Sequence, residues 1–153
     1  AEPQLFHPGD LDYIHSVERI SKLSNVISIN GGVQLDLMGQ ENAESTGTRQ
    51  LSGVGGQMDF LEGAYRSKGG KGFICINSSR VTKDGERKSN ILATIPGGST
   101  ISAPRTMIQY VATEYGIASL SGKTLRERAE AMASIAHPDF REELMKYARE
   151  NFK

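Results

Sequence analysis

Residues 53–56 read Gly-Val-Gly-Gly, and the segment that follows, Gln57-Met58-Asp59-Phe60, starts a helical pattern. No other junction constrains the fold as much. Glycine takes positive φ without steric penalty and lets another group approach the backbone closely. A helix start leaves N–H groups without intrahelical partners, and these carry partial positive charge. A glycine turn running into a helix therefore offers donors to an anion: a phosphate, or the oxyanion of a thioester under attack. The plain alternative is a structural tight turn. The run lacks the Gly-Lys-Ser/Thr ending of a phosphate loop. It also lacks the third glycine of a dinucleotide turn, because Met58 stands three residues after Gly55.

A chain of 153 residues is long enough for one domain with a real core. Lys plus Arg and Asp plus Glu both number 18, which argues against nucleic acid as a partner. No apolar run approaches the roughly 20 residues of a membrane span, so no membrane role is expected. The opening residues do not read as a signal peptide. With Cys75 as the single cysteine no internal disulfide forms, which fits a reducing, cytoplasmic setting. Cys75 lies in Phe73-Ile74-Cys75-Ile76, which reads as a buried strand with a core thiol.

Residues 1–12 are polar and turn-rich, and weak order is expected there; the domain proper is expected over 13–153. Helices are expected over Val17–Leu23 and Met58–Lys68. Strands are expected over Val26–Ile29, Val33–Leu37 (one face polar), Phe73–Ile76, Ile91–Ile95 and Tyr110–Thr113. Arg80–Ser89 is charged and reads as an exposed loop. Thr124-Leu125-Arg126-Glu127 is a capping box, with Leu125, Ala129, Met132 and Ala136 forming the apolar face behind it. Pro138 opens a last helix whose buried stripe is Phe140, Leu144, Tyr147 and Ala148. Alternating strands and helices make the class α/β.

Other chemistry is sparser. Gly69-Gly70-Lys71 suits a phosphate or a plain helix C-cap with a solvated lysine. His7, His15 and His137 share no metal-ligand spacing, so no metal is expected. No Gly-x-Ser-x-Gly elbow occurs. The acids nearest the glycines are Glu41, Glu44, Glu62 and Glu114, and nothing local makes any of them a nucleophile. Glu114 falls where a strand runs into a loop, a common place for functional residues in α/β sheets.

Several segments in order resemble one family. They are Ser28-Ile29-Asn30, Val33 to Ser45 (VQLDLMGQENAES), Arg49-Gln50-Leu51-Ser52 with the glycine loop, Phe60 to Lys71, Tyr110 to Gly116, Ser121 to Ala129, and Ile135 to Arg141. Together, over about residues 13 to 151, the chain resembles the C-terminal part of the acetyl-CoA hydrolase/transferase family, which includes 4-hydroxybutyrate CoA-transferases. The resemblance implies a fold of the NagB/RpiA/CoA-transferase type: the C-terminal half of an α/β enzyme, a mixed sheet flanked by helices. It implies coenzyme A as a substrate, with an acyl-CoA and a carboxylic acid as reactants, and no metal. In that reaction a glutamate attacks the thioester, and the resulting anhydride is captured by the CoA thiolate as a glutamyl-CoA thioester.

The residues that match the family's site are Gly56, whose amide would serve the oxyanion, Gly55 and Gln57, which shape the loop, and Val33 and Lys71 on the coenzyme side. His15 matches a position near the substrate. The family's nucleophilic glutamate lies in a His-x-Glu segment that has no counterpart in this chain. The resemblance thus implies a missing N-terminal domain, with the 153 residues alone inactive in full transfer. Homodimers are frequent in the family. Two alternatives remain: a CoA-ester hydrolase, and a non-catalytic CoA-binding or assembly domain.

Overall fold

A computed structural model describes residues 8–153. The chain opens with two short helices, α1 (Leu11–Ile14) and α2 (Val17–Lys22), then strands β1 (Ile27–Gly31), β2 (Gln34–Asp36), β3 (Glu41–Asn42), β4 (Ser45–Thr46) and β5 (Arg49–Gln50). Helix α3 (Gln57–Arg66) follows the glycine loop and leads to β6 (Lys71–Cys75), β7 (Ser79–Val81), β8 (Arg87–Ser89) and β9 (Ile91–Leu92). The chain closes with β10 (Tyr110–Thr113), β11 (Gly116–Ser119), α4 (Leu125–Ser134) and α5 (Pro138–Asn151). Of the expected weakly ordered segment, residues 1–7 lie outside the described residues, as does His7; Leu11 and Asp12 belong to α1.

The main sheet has the order β1-β6-β10-β11, parallel across the first three strands and antiparallel at the last. Parallel neighbours need a crossover, and α3 supplies it between β1 and β6. Helix α3 packs on β1 and β6, and α4 packs along β11. The covered face carries Ser28, Gly72, Ile74, Val111 and Ala118, all buried. Gly72 lets Leu61 of α3 come close, since a Cβ there would stand 3.0 Å from Leu61 Cδ2. The core continues into Leu35, Leu37, Ile91, Ile108, Met132 and Leu144.

Four expectations need correction. Cys75 is exposed: strand alternation turns it to the face opposite Ile74, and no described helix covers that face. Arg80–Ser89 is a hairpin, with Arg80 opposite Lys88 and Val81 opposite Arg87. The polar side of β2 is not solvated, because Gln34 and Asp36 are buried. Leu125 points outward; Ala129, Met132 and Ala133 form the buried apolar face of α4, and Ala136 is buried just past its end.

Candidate functional site

Helix α3 starts differently from α2, α4 and α5. Ser16 caps α2, Thr124 caps α4 within a full capping box, and the His137 side chain caps α5. The N-cap of α3 is Gly56, which has no side chain to offer and receives no side-chain cap. Gly55 before it takes φ +61°, and Gly56 itself has φ −94°. Successive residues of opposite hand turn their N–H groups toward one concavity, the geometry of an anion-binding nest. Among the described residues the Gly56 N–H has no hydrogen-bond partner; the first bond of the helix runs from Phe60 N–H to the Gly56 carbonyl at 3.2 Å.

Two side chains close on this loop. The His15 ring lies against Gly56, and a Cβ there would collide with it. The ring packs edge-on to Phe60 with centroids 4.9 Å apart, and its Nδ1 lies 3.4 Å from Asp59 Oδ2. From the other side Gln57 Nε2 donates to Glu41 Oε2. Glu41 is wholly buried, and its second oxygen has no partner. Burial pushes its carboxyl up to about 7, against a downward pull from the Gln57 bond.

The segment Asp36–Asn42 delivers Glu41 to this place. Asp36 Oδ1 accepts from the backbone of Met38 and Gln40 at 3.0 and 2.9 Å, and Oδ2 accepts from Gln40 Nε2 at 2.7 Å. Gly39 takes φ +83° inside that turn. Glu41 is then pinned through its backbone: its N–H donates to Ala103 O at 3.0 Å and its carbonyl accepts from Ser102 N–H at 2.8 Å. Asn42 Oδ1 accepts from Ser45 N–H at 2.9 Å, and Asn42 Nδ2 donates to Ser45 O at 2.8 Å. Arg128 locks the same turn from α4, donating to Met38 O, Leu120 O and Arg105 O at 2.7–2.8 Å.

The ends of β1, β6 and β10 open a cleft of about 440 Å³ lined by Gly32, Asn77, Thr113 and Glu114, among others. Ligands of open α/β sheets bind at this edge. Ser78 donates to Glu114 through its N–H at 2.9 Å and its hydroxyl at 2.6 Å. Desolvation pushes the Glu114 carboxyl up, but the two Ser78 bonds, together with its own backbone N–H and nearby His137, outweigh it and the group sits below its usual range. A wider hollow along α5 is lined by Arg141, Glu142, Lys146, Arg149 and Glu150, a solvated charged helix face.

Gly55, Gly56, Gln57 and His15 thus form one cluster. Val33 adjoins it through Gly32, whose Cβ would stand 2.7 Å from Glu41 Oε1. Lys71 does not join them. It opens β6, beyond the far end of α3, and ten helical residues span about 15 Å. Sequence reasoning named Glu41 only as an acid near the glycines. The usable signal was the concentration of polar residues in Gln34 to Asn42 between Leu35, Leu37 and Ile91, a pattern that a solvated strand face does not need.

A family profile described as the acetyl-CoA hydrolase/transferase C-terminal domain matches residues 3–148. Among curated proteins, the chain is 47% identical over 138 residues to a butyryl-CoA:acetate CoA-transferase of Anaerostipes caccae, covering 90% of this chain and 31% of that one. It is 48% identical over 142 residues to a 4-hydroxybutyrate coenzyme A transferase of Clostridium kluyveri, covering 93% and 32%. An acetyl-CoA hydrolase of Eremothecium gossypii is 32% identical over 135 residues, covering 87% and 24%. Among solved structures, RipA from Yersinia pestis superposes with a TM-score of 0.79 at 39% identity, covering 91% of this chain and 30% of that one. The chain spans about a third of the length of the curated transferases it matches.

Proposed function

We infer the function from one premise: the chain belongs to the acetyl-CoA hydrolase/transferase family and carries its C-terminal domain. The activity is transfer of coenzyme A between a short-chain acyl-CoA and a carboxylic acid through a glutamyl-CoA thioester. The attacking glutamate comes from a part of the enzyme outside these 153 residues, so this chain alone does not complete the transfer. Its contribution is the oxyanion site. The Gly56 amide, with the free N–H groups of the first turn of α3, receives the negative charge that grows on the thioester carbonyl. Each tetrahedral adduct is stabilised by a donor already in place, and losing one such donor typically costs roughly 3–4 kcal/mol. Val33 and Gly55 border the path of the coenzyme. Lys71 meets only a distant part of a molecule as long as coenzyme A. His15, packed on the loop, contacts the substrate side.

The uncapped start of α3, with an unbonded amide at Gly56, carries this reading. Its test replaces that amide in a protein of the relatives' length. Proline at 56 removes the N–H but also meets the His15 ring, so Gly56→Pro is made in a His15→Ala background and compared with His15→Ala alone. Turnover is expected to fall 10²–10³-fold with the proline. Equal turnover of the two proteins removes the amide from the mechanism.

A hydrolase is the second reading, favoured by the acetyl-CoA hydrolases among the relatives. Water then takes the place of the acceptor acid, and CoA release without added acid distinguishes the two. The rest of the enzyme, on this proposal, packs on the uncovered face of the main sheet.

A further inference from the structure

Glu41 is the one fully buried carboxyl beside the glycine loop, and the mechanism above gives it no task. Its placement is specific. Its Oε2 accepts from Gln57 Nε2, while Oε1 is buried without a partner against Gly32. Gln57 is the residue after Gly56, and its reach to Glu41 ties the first turn of α3 to the β2–β3 turn, on the side opposite the Asp59–His15 contact. Glu41 is itself immobilised by its backbone bonds to Ala103 and Ser102 and by the Asp36 turn before it. A rigid element therefore grips the start of α3, which has no side-chain cap of its own.

We propose that Glu41 is a positioning residue: through Gln57 it fixes the first turn of α3 and so aims the Gly56 amide at the reacting carbonyl. The inference rests on the oxyanion reading of Gly56. Donors at an oxyanion site act by being held where charge develops, and a displacement of about 1 Å can cost about 10²-fold in rate. The protonation state of Glu41 enters through the unpartnered oxygen. As a neutral acid the group sits in its dry wall without penalty; as an anion it carries buried charge with one hydrogen bond to offset it. Nearby charges do not set this balance. On α3, Asp59 faces His15 and Glu62 faces Arg66. The segment holding Gly32 and Val33 presents no charged side chain, nor do Ser102 and Ala103.

The test uses Glu41→Ala, Glu41→Gln, Gln57→Ala and the double Glu41→Ala/Gln57→Ala variant in the relatives-length enzyme. It adds the Gly56 amide resonance of the 153-residue chain, followed through a pH titration. Glu41→Ala and Gln57→Ala are each expected to lower kcat about 10- to 100-fold with KM for acyl-CoA nearly unchanged. The double variant is expected to be no worse than either single one. Glu41→Gln, which keeps the neutral shape, stays within about threefold of the parent. With His15→Ala as the background, so that no imidazole lies against Gly56, the Gly56 amide resonance is expected to move with a midpoint near pH 7 and to stay still once Glu41→Gln is added. Additive losses, losses confined to KM, or an amide signal indifferent to pH overturn the proposal even where Glu41→Ala fails to fold. Should the Gly56→Pro comparison be silent, the oxyanion reading falls and takes this one with it; should it be severe while Glu41 and Gln57 variants are normal, only the positioning role falls.

Discussion

Glu41 links stability to pH in an unusual direction. Glu127 and Glu18 work the ordinary way: they are held below their usual range by the Thr124 and Lys22 contacts, so their contribution is lost as pH falls. Glu41 is held up at about 7 against an ordinary value of 4.5. A raised carboxyl contributes stability that is complete below about pH 4.5 and lost as pH climbs through about 7. The full span is about 3 kcal/mol. Glu41→Gln is neutral at every pH, so its stability relative to the parent is expected to rise between about pH 4.5 and 7 and then level off. Urea unfolding at a series of pH values measures this. A difference that is flat across that interval places the Glu41 proton elsewhere. Gly55 bears on the same loop through its backbone: at φ +61° an Ala pays for a conformation that glycine takes freely.

At the level of elements, the helices divide by how they begin. Thr124 accepts from Glu127 N–H at 3.3 Å while Glu127 Oε2 accepts from Thr124 N–H at 2.8 Å, so α4 closes its own end. Thr124→Ala is expected to cost about 1 kcal/mol, read as a lowered urea midpoint at constant slope. An unchanged midpoint rules out the cap as a contributor. That capping box, the Pro138 start of α5, the α3 segment and Tyr110–Thr113 were all legible in the sequence, because their signals are local. The β7–β8 hairpin was not: Arg80, Val81, Arg87 and Lys88 are all exposed, so no buried face imposes alternation, and backbone pairing alone makes the strands. Strand β11 hid behind a two-residue turn at Glu114-Tyr115, made possible by Gly116 at φ +145°. In the site, the glycine loop announced itself. The Gln57–Glu41 link did not, because it joins residues 16 apart and depends on burial that only the folded chain creates.

The whole molecule has one side that does not behave like a finished surface. Parallel sheets are found almost only with both faces covered. Here β1, β6 and β10 run parallel, yet α3 and α4 cover a single face. On the other, Ile27, Ile29 and Ile117 are 52%, 69% and 64% exposed, and the stacked rings of Phe73 and Tyr110 continue the row that starts at Ile29. Contiguous apolar surface of this kind marks a contact. About two thirds of the length of each of these curated transferases lies outside the part matched here, and the same is true of RipA. A layer from that additional chain is the occupant the proposal assigns. Ile29→Lys with Ile117→Lys separates the cases. In the 153-residue chain both lysines are solvated, so the thermal midpoint is expected to stay within a few degrees. In a protein of the relatives' length the same pair places two charges inside a packed layer, and the midpoint is expected to drop well beyond that margin. Equal responses of the two proteins dismiss the longer chain as the occupant. A tight dimer of the 153-residue chain that the two lysines dissociate assigns the face to a second copy.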